Sequence, residues 1–204
     1  MRFPVNTVAV RIGRPITGVI HVGGHHGEEY PAYVAEGVTH QLWFEPQKAA
    51  FAEMYRRIGD KPGVSLAQLA LGDHAGYVEM YTETVNGGAS SSLLAPREHL
   101  IEHPHIKFDG RETVRMCRLD DLMFFRENFQ MLVLDVQGYE LEVLKGATAT
   151  LPYINAIQAE IARVEVYAGC PMVEDLDAFL VPFGFSRVDT FWYGANAGEG
   201  LWVC

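Results

Sequence analysis

A chain of 204 residues, 49% of them apolar, is long enough for one full-sized core and fits a single domain. Its formal net charge of −10 excludes a surface built for nucleic acid or an anionic membrane, since either partner needs clustered Lys and Arg to displace counterions. Three widely separated cysteines, Cys117, Cys170 and Cys204, form no closed disulfide set and point to a reducing compartment.

Residues 1–17 read as an extended lead-in with an edge strand at Thr7 to Ile12. Arg2, Arg11, Arg14 and two prolines break up its apolar residues, so it is neither a signal peptide nor a membrane span, and the cytoplasm is the expected location. Gly18 to Val22 is a buried strand that runs into Gly23-Gly24-His25-His26-Gly27-Glu28-Glu29, with a helix expected from about Gly27 to Glu36. Tyr30, Tyr33 and Val34 form its inward face, and Pro31 falls in its first turn. A strand that ends in glycines and opens a helix lets the backbone approach an anionic group, which the helix's first unpaired amides attract. The plain alternative is a turn whose glycines only relieve crowding.

His40 to Phe44 is a second strand, closed by Glu45-Pro46 and followed by a helix from about Gln47 to Ile58 with Phe51, Met54, Tyr55 and Ile58 on one side. Glu45 thus sits at a strand's carboxyl tip beside the glycine turn, where an acid can accept both hydroxyls of a ribose; a merely solvated acid is the alternative. Val64 to Leu69 is a third strand, leading through Ala70-Leu71-Gly72-Asp73 to a hairpin partner at Tyr77 to Tyr81. From Thr82 to Arg111 periodicity vanishes, and residues 82–112 read as a lid or substrate wall, with a surface excursion as the alternative.

Strands follow at Thr113 to Arg118 and Met131 to Leu134, separated by a short helix opened by Leu119-Asp120-Asp121-Leu122. The second of these ends in Asp135-Val136-Gln137-Gly138-Tyr139-Glu140 and feeds a helix to Lys145, stopped by Gly146. Ile154 to Ile161 carries Glu160 near its tip, Met172 to Val181 is an amphipathic helix, and strands at Phe185 to Thr190 and Gly200 to Val203 close the chain. Strands alternating with helices predict an α/β fold, a doubly wound, mostly parallel sheet with an antiparallel terminal hairpin.

Four polar clusters fall on one edge of that sheet: the glycine turn, Glu45, Ala70 to Asp73, and Asp135 to Glu140. Together they describe a nucleoside-bearing cofactor, either a dinucleotide or S-adenosylmethionine. The dinucleotide spacing G-x-G-x-x-G is not supplied by Gly23-Gly24-His25-His26-Gly27.

From Val19 to Val203 the sequence resembles the FkbM-type S-adenosylmethionine-dependent methyltransferases. The matching pieces are HVGGHHGEE at His21 to Glu29, FEP at Phe44 to Pro46, ALGD at Ala70 to Asp73, Ser90 to Ser92, RLDDL at Arg118 to Leu122, and LDVQGYELEVLKGA at Leu134 to Ala147. The resemblance implies a class I methyltransferase fold of the Rossmann-like kind. It places S-adenosyl-L-methionine against Gly23, Gly24 and Gly27, its ribose on Glu45 beside Pro46, and its adenine near Ala70 and Leu71. The family commonly has Asp at His21, Asn at His25 and an acid at Gln137. An imidazole cannot replace a carboxylate facing the cofactor's ammonium group, which leaves Glu28 as the nearby candidate.

The reaction expected is attack on the sulfonium methyl by a hydroxyl of a sugar or small natural product, which needs alignment and a base. Asp135 is the first candidate for base or orienting group and Glu160 the second; a helix cap and a structural acid are the respective alternatives. His21 is equally readable as a cofactor contact or a hydrogen-bonded core histidine. No metal site is expected: His21, His25, His26, Glu28 and Glu29 match no zinc spacing, and consecutive turn residues point apart. A divalent ion at Asp135 and Glu160 lacks support. Rival readings are a non-catalytic binding or assembly module on the same fold and a nicotinamide-dependent oxidoreductase. The expected partner is a small-molecule or glycan acceptor, and nothing in the sequence excludes a homo-oligomer.

Overall fold

The computed structural model describes residues 2–204. Its central sheet contains β1 (Gly18–Val22), β2 (His40–Phe44), β3 (Val64–Ala67), β7 (Met131–Leu134), β8 (Ala156–Ala162), β9 (Ser186–Trp192) and β10 (Ala197–Val203). They lie in the order β3-β2-β1-β7-β8-β10-β9, parallel from β3 to β8 and antiparallel in the closing hairpin. The chain moves outward from β1 through β2 to β3, then returns to place β7 on the other side of β1. The carboxyl ends of β1 and β7 therefore flank the point where strand order reverses, which is where ligands enter open α/β sheets.

Both faces of the sheet are covered, so its inner strands are mostly apolar, and all five residues of β1, His21 included, are buried. On one face Val19, Trp43, Met131 and Val133 pack under α1 (Val5–Ile12), α2 (Tyr30–Ala35) and α3 (Lys48–Ile58). On the other, Ile20, Val22, Phe44, Leu132 and Leu134 meet α5 (Glu140–Lys145) and α6 (Val173–Leu180). Among the described residues, no helix is long and apolar enough to cross a membrane.

The structure corrects four expectations. The segment read as an edge strand at Thr7 to Ile12 is the helix α1, ended by Gly13 in the left-handed region at φ 70°. Val8, Val10 and Ile12 alternate as a strand would, yet Val5 and Val8 are the buried pair, at helical spacing, while Val10 is 82% exposed. The helix expected from Gly27 begins only at Tyr30, and Val34 and Tyr55, both read as inward-facing, are exposed. A second sheet, of order β4-β6-β5, is built from β4 (Ala70–Leu71), β5 (Gly76–Thr82) and β6 (Gly110–Cys117). The supposedly structureless stretch between β5 and β6 contains α4 (His99–Glu102) and a folded loop. In that loop buried Glu83 accepts the amides of Asn86 at 2.7 Å, Gly88 at 2.9 Å and Ser90 at 3.3 Å.

Candidate active site

The turn after β1 is closed upon itself. The amides of Gly23 and Gly24 both donate to the Phe44 carbonyl at 2.9 Å, that of His25 to Glu45 Oε2 at 2.9 Å, that of His26 to Glu28 Oε2 at 3.0 Å, and that of Gly27 to the Gly24 carbonyl at 2.7 Å. Five successive donors of the turn are thus occupied, and none of these is free to meet an anion. The glycines have other causes. At Gly23, φ is 85° and a Cβ would overlap the Asp135 carbonyl oxygen, so its absence lets the tips of β1 and β7 touch. A Cβ on Gly24 would stand 2.9 Å from Met54 Sδ. Gly27, at φ 73°, faces Ile58 and does not line the cavity described next, so its expected cofactor contact is withdrawn.

A cavity with about 900 Å³ of empty space opens over the tips of β1, β2 and β7. Its walls include His21, Gly23, Gly24, His25 and Glu28 from the first turn, Glu45 and Pro46 from the second, Ala70 and Leu71 from the small sheet, and Asp135. Every expected cofactor residue except Gly27 is therefore brought together. Glu45 is 3% exposed and uses one oxygen for the His25 amide and the other for the Gln47 amide, at 2.8 Å. Each carboxylate oxygen keeps a further acceptor position. Burial raises its pKa to about 7, against the pull of the two amides.

His21 is a core histidine that also borders the cavity. Its ring stacks on Trp43 with centroids 4.4 Å apart, Nδ1 lies 2.8 Å from the Tyr33 hydroxyl, and burial lowers its pKa to about 4. The loop that roofs the cavity lies within residues 82–112, the stretch read from the sequence as a lid or substrate wall, although none of its residues was named there as a cofactor contact. Gly88, Ala89, Ser91 and Leu93 line it, Gln47 Nε2 donates to the Gly88 carbonyl at 3.0 Å, and His25 Nε2 lies 3.0 Å from the Gly87 carbonyl. The Asn86-Gly87-Gly88 run and the serine cluster were the available signals.

At the tip of β7, Gln137 organises the acids. Its Nε2 donates to Asp135 Oδ1 and to Glu160 Oε2, each at 2.8 Å, and its Oε1 accepts from the Tyr167 hydroxyl at 2.9 Å. Its backbone carbonyl accepts from Ser92 Oγ at 2.7 Å. Burial first, then mutual repulsion, holds Glu160 well above the usual carboxylate range. Burial also raises Asp135, although its carboxyl faces the cavity and the Gln137 amide acts the other way. A cation bridging Asp135 and Glu160 would need the position that this amide nitrogen fills. Glu140, the last acid of the motif, is 2% exposed and accepts the amides of Val136 at 3.1 Å and Gly138 at 3.2 Å, which makes it a clasp for the turn.

Glu160 does not line the main cavity. It borders an inner chamber of about 450 Å³ with His21, Glu29, Asp135, Gln158 and Glu199, and an outer cleft of about 1230 Å³ walled by His99, Glu102, His103, His105 and Asn196. Gln137 is common to all three spaces. The reason given for expecting no metal also fails in one respect. At φ 43° His25 turns the chain so that its ring stacks on that of His26, with centroids 3.7 Å apart, and both reach Glu28.

A model of the methyltransferase FkbM domain matches residues 21–187. The 2-O-methyltransferase NoeI of Sinorhizobium fredii (strain NBRC 101917 / NGR234) is 28% identical over 164 residues, which cover 76% of this chain and 68% of that protein. Among solved structures, magnesium protoporphyrin IX methyltransferase (ChlM) from Synechocystis PCC 6803 with bound SAM aligns over 98% of this chain and 77% of its own, at 12% identity and a TM-score of 0.55. The N-methyltransferase NodS from Bradyrhizobium japonicum WM9 aligns over 97% and 92%, at 10% identity and the same TM-score of 0.55. At such identities the two structures speak for the fold alone, a class I methyltransferase sheet. The family match, which spans every strand tip of the cavity, carries the rest: the chain belongs to the FkbM methyltransferase family, and its cofactor is S-adenosylmethionine.

Proposed function

We propose that this methyltransferase acts on a hydroxyl of a sugar or small natural product. The observation that carries the reading is Gln137, whose amide holds two raised carboxyls side by side where the main cavity, inner chamber and outer cleft meet.

The cavity suits the cofactor. Glu45 has acceptor positions free for two ribose hydroxyls, and Leu71, Met80 and Leu93 offer apolar walls for a flat base. When bound, S-adenosylmethionine supplies a methyl group already activated by its sulfonium. What remains for the protein is alignment and removal of a proton. Asp135 borders both the cofactor cavity and the inner chamber, and is assigned as the group that takes the acceptor's hydroxyl proton. Glu160, one strand over and facing the outer cleft, orients the acceptor. Gln137 keeps the two acids in register while occupying one acceptor position on each. The outer cleft, with imidazoles, Glu102 and Asn196 in its walls, offers hydrogen bonds to a polyhydroxylated partner. The name of the NoeI relative favours oxygen over nitrogen as the atom methylated.

Two measurements test this. Calorimetry should show S-adenosylhomocysteine binding to the folded chain, weakened about tenfold or more by Glu45→Gln, which keeps the shape but loses acceptor capacity. Transfer of isotope-labelled methyl to a panel of saccharides, phenols and amines should favour hydroxyl acceptors; transfer to amines alone would refute the assignment.

A further inference from the structure

The side chains of His25, His26 and Glu28 converge on one point. Glu28 Oε1 stands 3.0 Å from His25 Nδ1 and 3.4 Å from His26 Nδ1, and one potential ligand atom from each residue lies within 4.8 Å of the others. Neighbouring ligand atoms on a tetrahedral zinc ion are about 3.3 Å apart, given metal–ligand bonds of about 2.0–2.1 Å, so two of these separations already match.

The ring of His25 supplies an independent reason to place a cation there. Its Nε2 faces the Gly87 carbonyl at 3.0 Å and its Nδ1 faces the Glu28 carboxylate at 3.0 Å, so both nitrogens point at acceptors. A neutral imidazole carries one hydrogen and cannot donate to both, so the pair of acceptors calls for a cation at Nδ1, either a second proton or a metal ion. With the hydrogen on Nε2 and the Gly87 carbonyl accepting it, Nδ1 presents its lone pair towards the carboxylate. That is the tautomer of a metal-bound histidine fixed by a backbone carbonyl behind it. Glu28 also accepts the His26 amide on Oε2 and its own backbone amide, and Arg57 Nη1 stands 3.8 Å from Oε1 on a half-exposed side chain that can swing aside. Among the described residues, the wall of the neighbouring cavity contains no Lys or Arg.

We propose that His25, His26 and Glu28 form a binding site for a zinc-class divalent cation, with two imidazole nitrogens, one carboxylate oxygen and a fourth position left to water. Two nitrogen ligands and one carboxylate are an ordinary zinc donor set. Through the Nε2 contact of His25, the filled site ties the loop at Gly87 to the turn after β1.

The test uses the full chain stripped with a chelator and titrated with Zn²⁺ against a chromophoric zinc indicator. One ion per chain is expected, with affinity lowered more than about tenfold in His26→Ala and in Glu28→Gln. His103→Ala, which removes an imidazole from the separate histidine group of the outer cleft, should leave the affinity unchanged. Cobalt(II) loading should give the visible absorption of a tetrahedral site in the parent chain and not in His26→Ala. Thermal unfolding of the stripped variants confirms that they fold, and His26→Asn replaces His26→Ala if it does not. The proposal is overturned if no ion competes with the indicator, if the His26 variant retains the ion equally well, or if His103→Ala abolishes binding. S-adenosylhomocysteine calorimetry on the stripped parent chain reports cofactor binding separately, so neither result decides the other.

Discussion

The turns after β1 and β7 are built alike and do different work. Each contains one of the two non-glycine residues with positive φ among the described residues, His25 at 43° and Gln137 at 54°. Each is held by a buried glutamate that accepts two backbone amides and whose pKa burial raises to about 7, Glu45 in the first and Glu140 in the second. The difference lies in where the holding acid faces. Glu45 comes from the neighbouring strand and opens on the cofactor cavity, so it serves both structure and binding. Glu140 comes from its own helix and lies outside that cavity, which leaves Asp135 free for chemistry. Left-handed backbone at non-glycine residues costs about 1–2 kcal/mol each, and it persists here because surrounding hydrogen bonds fix it.

The largest effect should separate chemistry from clasp at the second turn. Asp135→Ala is expected to lower methyl transfer by about 10²–10⁴-fold with the fold retained, whereas Glu140→Gln should lower the unfolding midpoint first. Labelled-methyl assays alongside thermal melts distinguish the two, and matching losses of activity at unchanged stability would erase the contrast. Next comes the seam between the turns. Gly23→Ala meets both a positive φ and the Asp135 carbonyl, and should cost on the order of 3–5 kcal/mol in denaturant unfolding.

A pH series sharpens the role of Glu45. Its folded pKa of about 7 lies above the ordinary value of 4.5, so its contribution to stability is complete below about 4.5 and is lost as pH rises through about 7. His21, lowered to about 4, acts oppositely between about 4 and 6.5. In the difference between parent and Glu45→Gln the His21 contribution cancels. Between pH 4.5 and 8 the variant should gain up to about 3 kcal/mol relative to the parent; a flat difference would show that Glu45 titrates normally. The smallest effect is expected for His25→Asn, which suits the left-handed region better and loses side-chain bonds. Stability in chelator should change by no more than about 1 kcal/mol, read from unfolding midpoints.

Sequence reading recovered what depends on local pattern. β1, β2 and β7 stand where their apolar runs put them, because strands covered on both faces are built mainly from apolar residues. Placing Glu45, Ala70 and Asp135 on one cavity followed from their strand tips. The helix α1 was hidden by an alternating stretch whose true burial has a helical period. The occupied amides of the glycine turn were not legible either, since they depend on a carbonyl of β2 and a carboxylate one strand away. The particular residues of the roof were not legible within the stretch read as a lid, because residues 86–93 acquire their position only by folding onto Gln47 and His25.

One hydroxyl has a wider reach than its size suggests. Tyr167 stands 2.9 Å from Gln137 Oε1 and 2.9 Å from the Ser90 carbonyl, so a single phenol touches both the roof of the cofactor chamber and the amide that spaces the acids. The wall over the cofactor and the spacing of the proton-handling groups thus share one anchor.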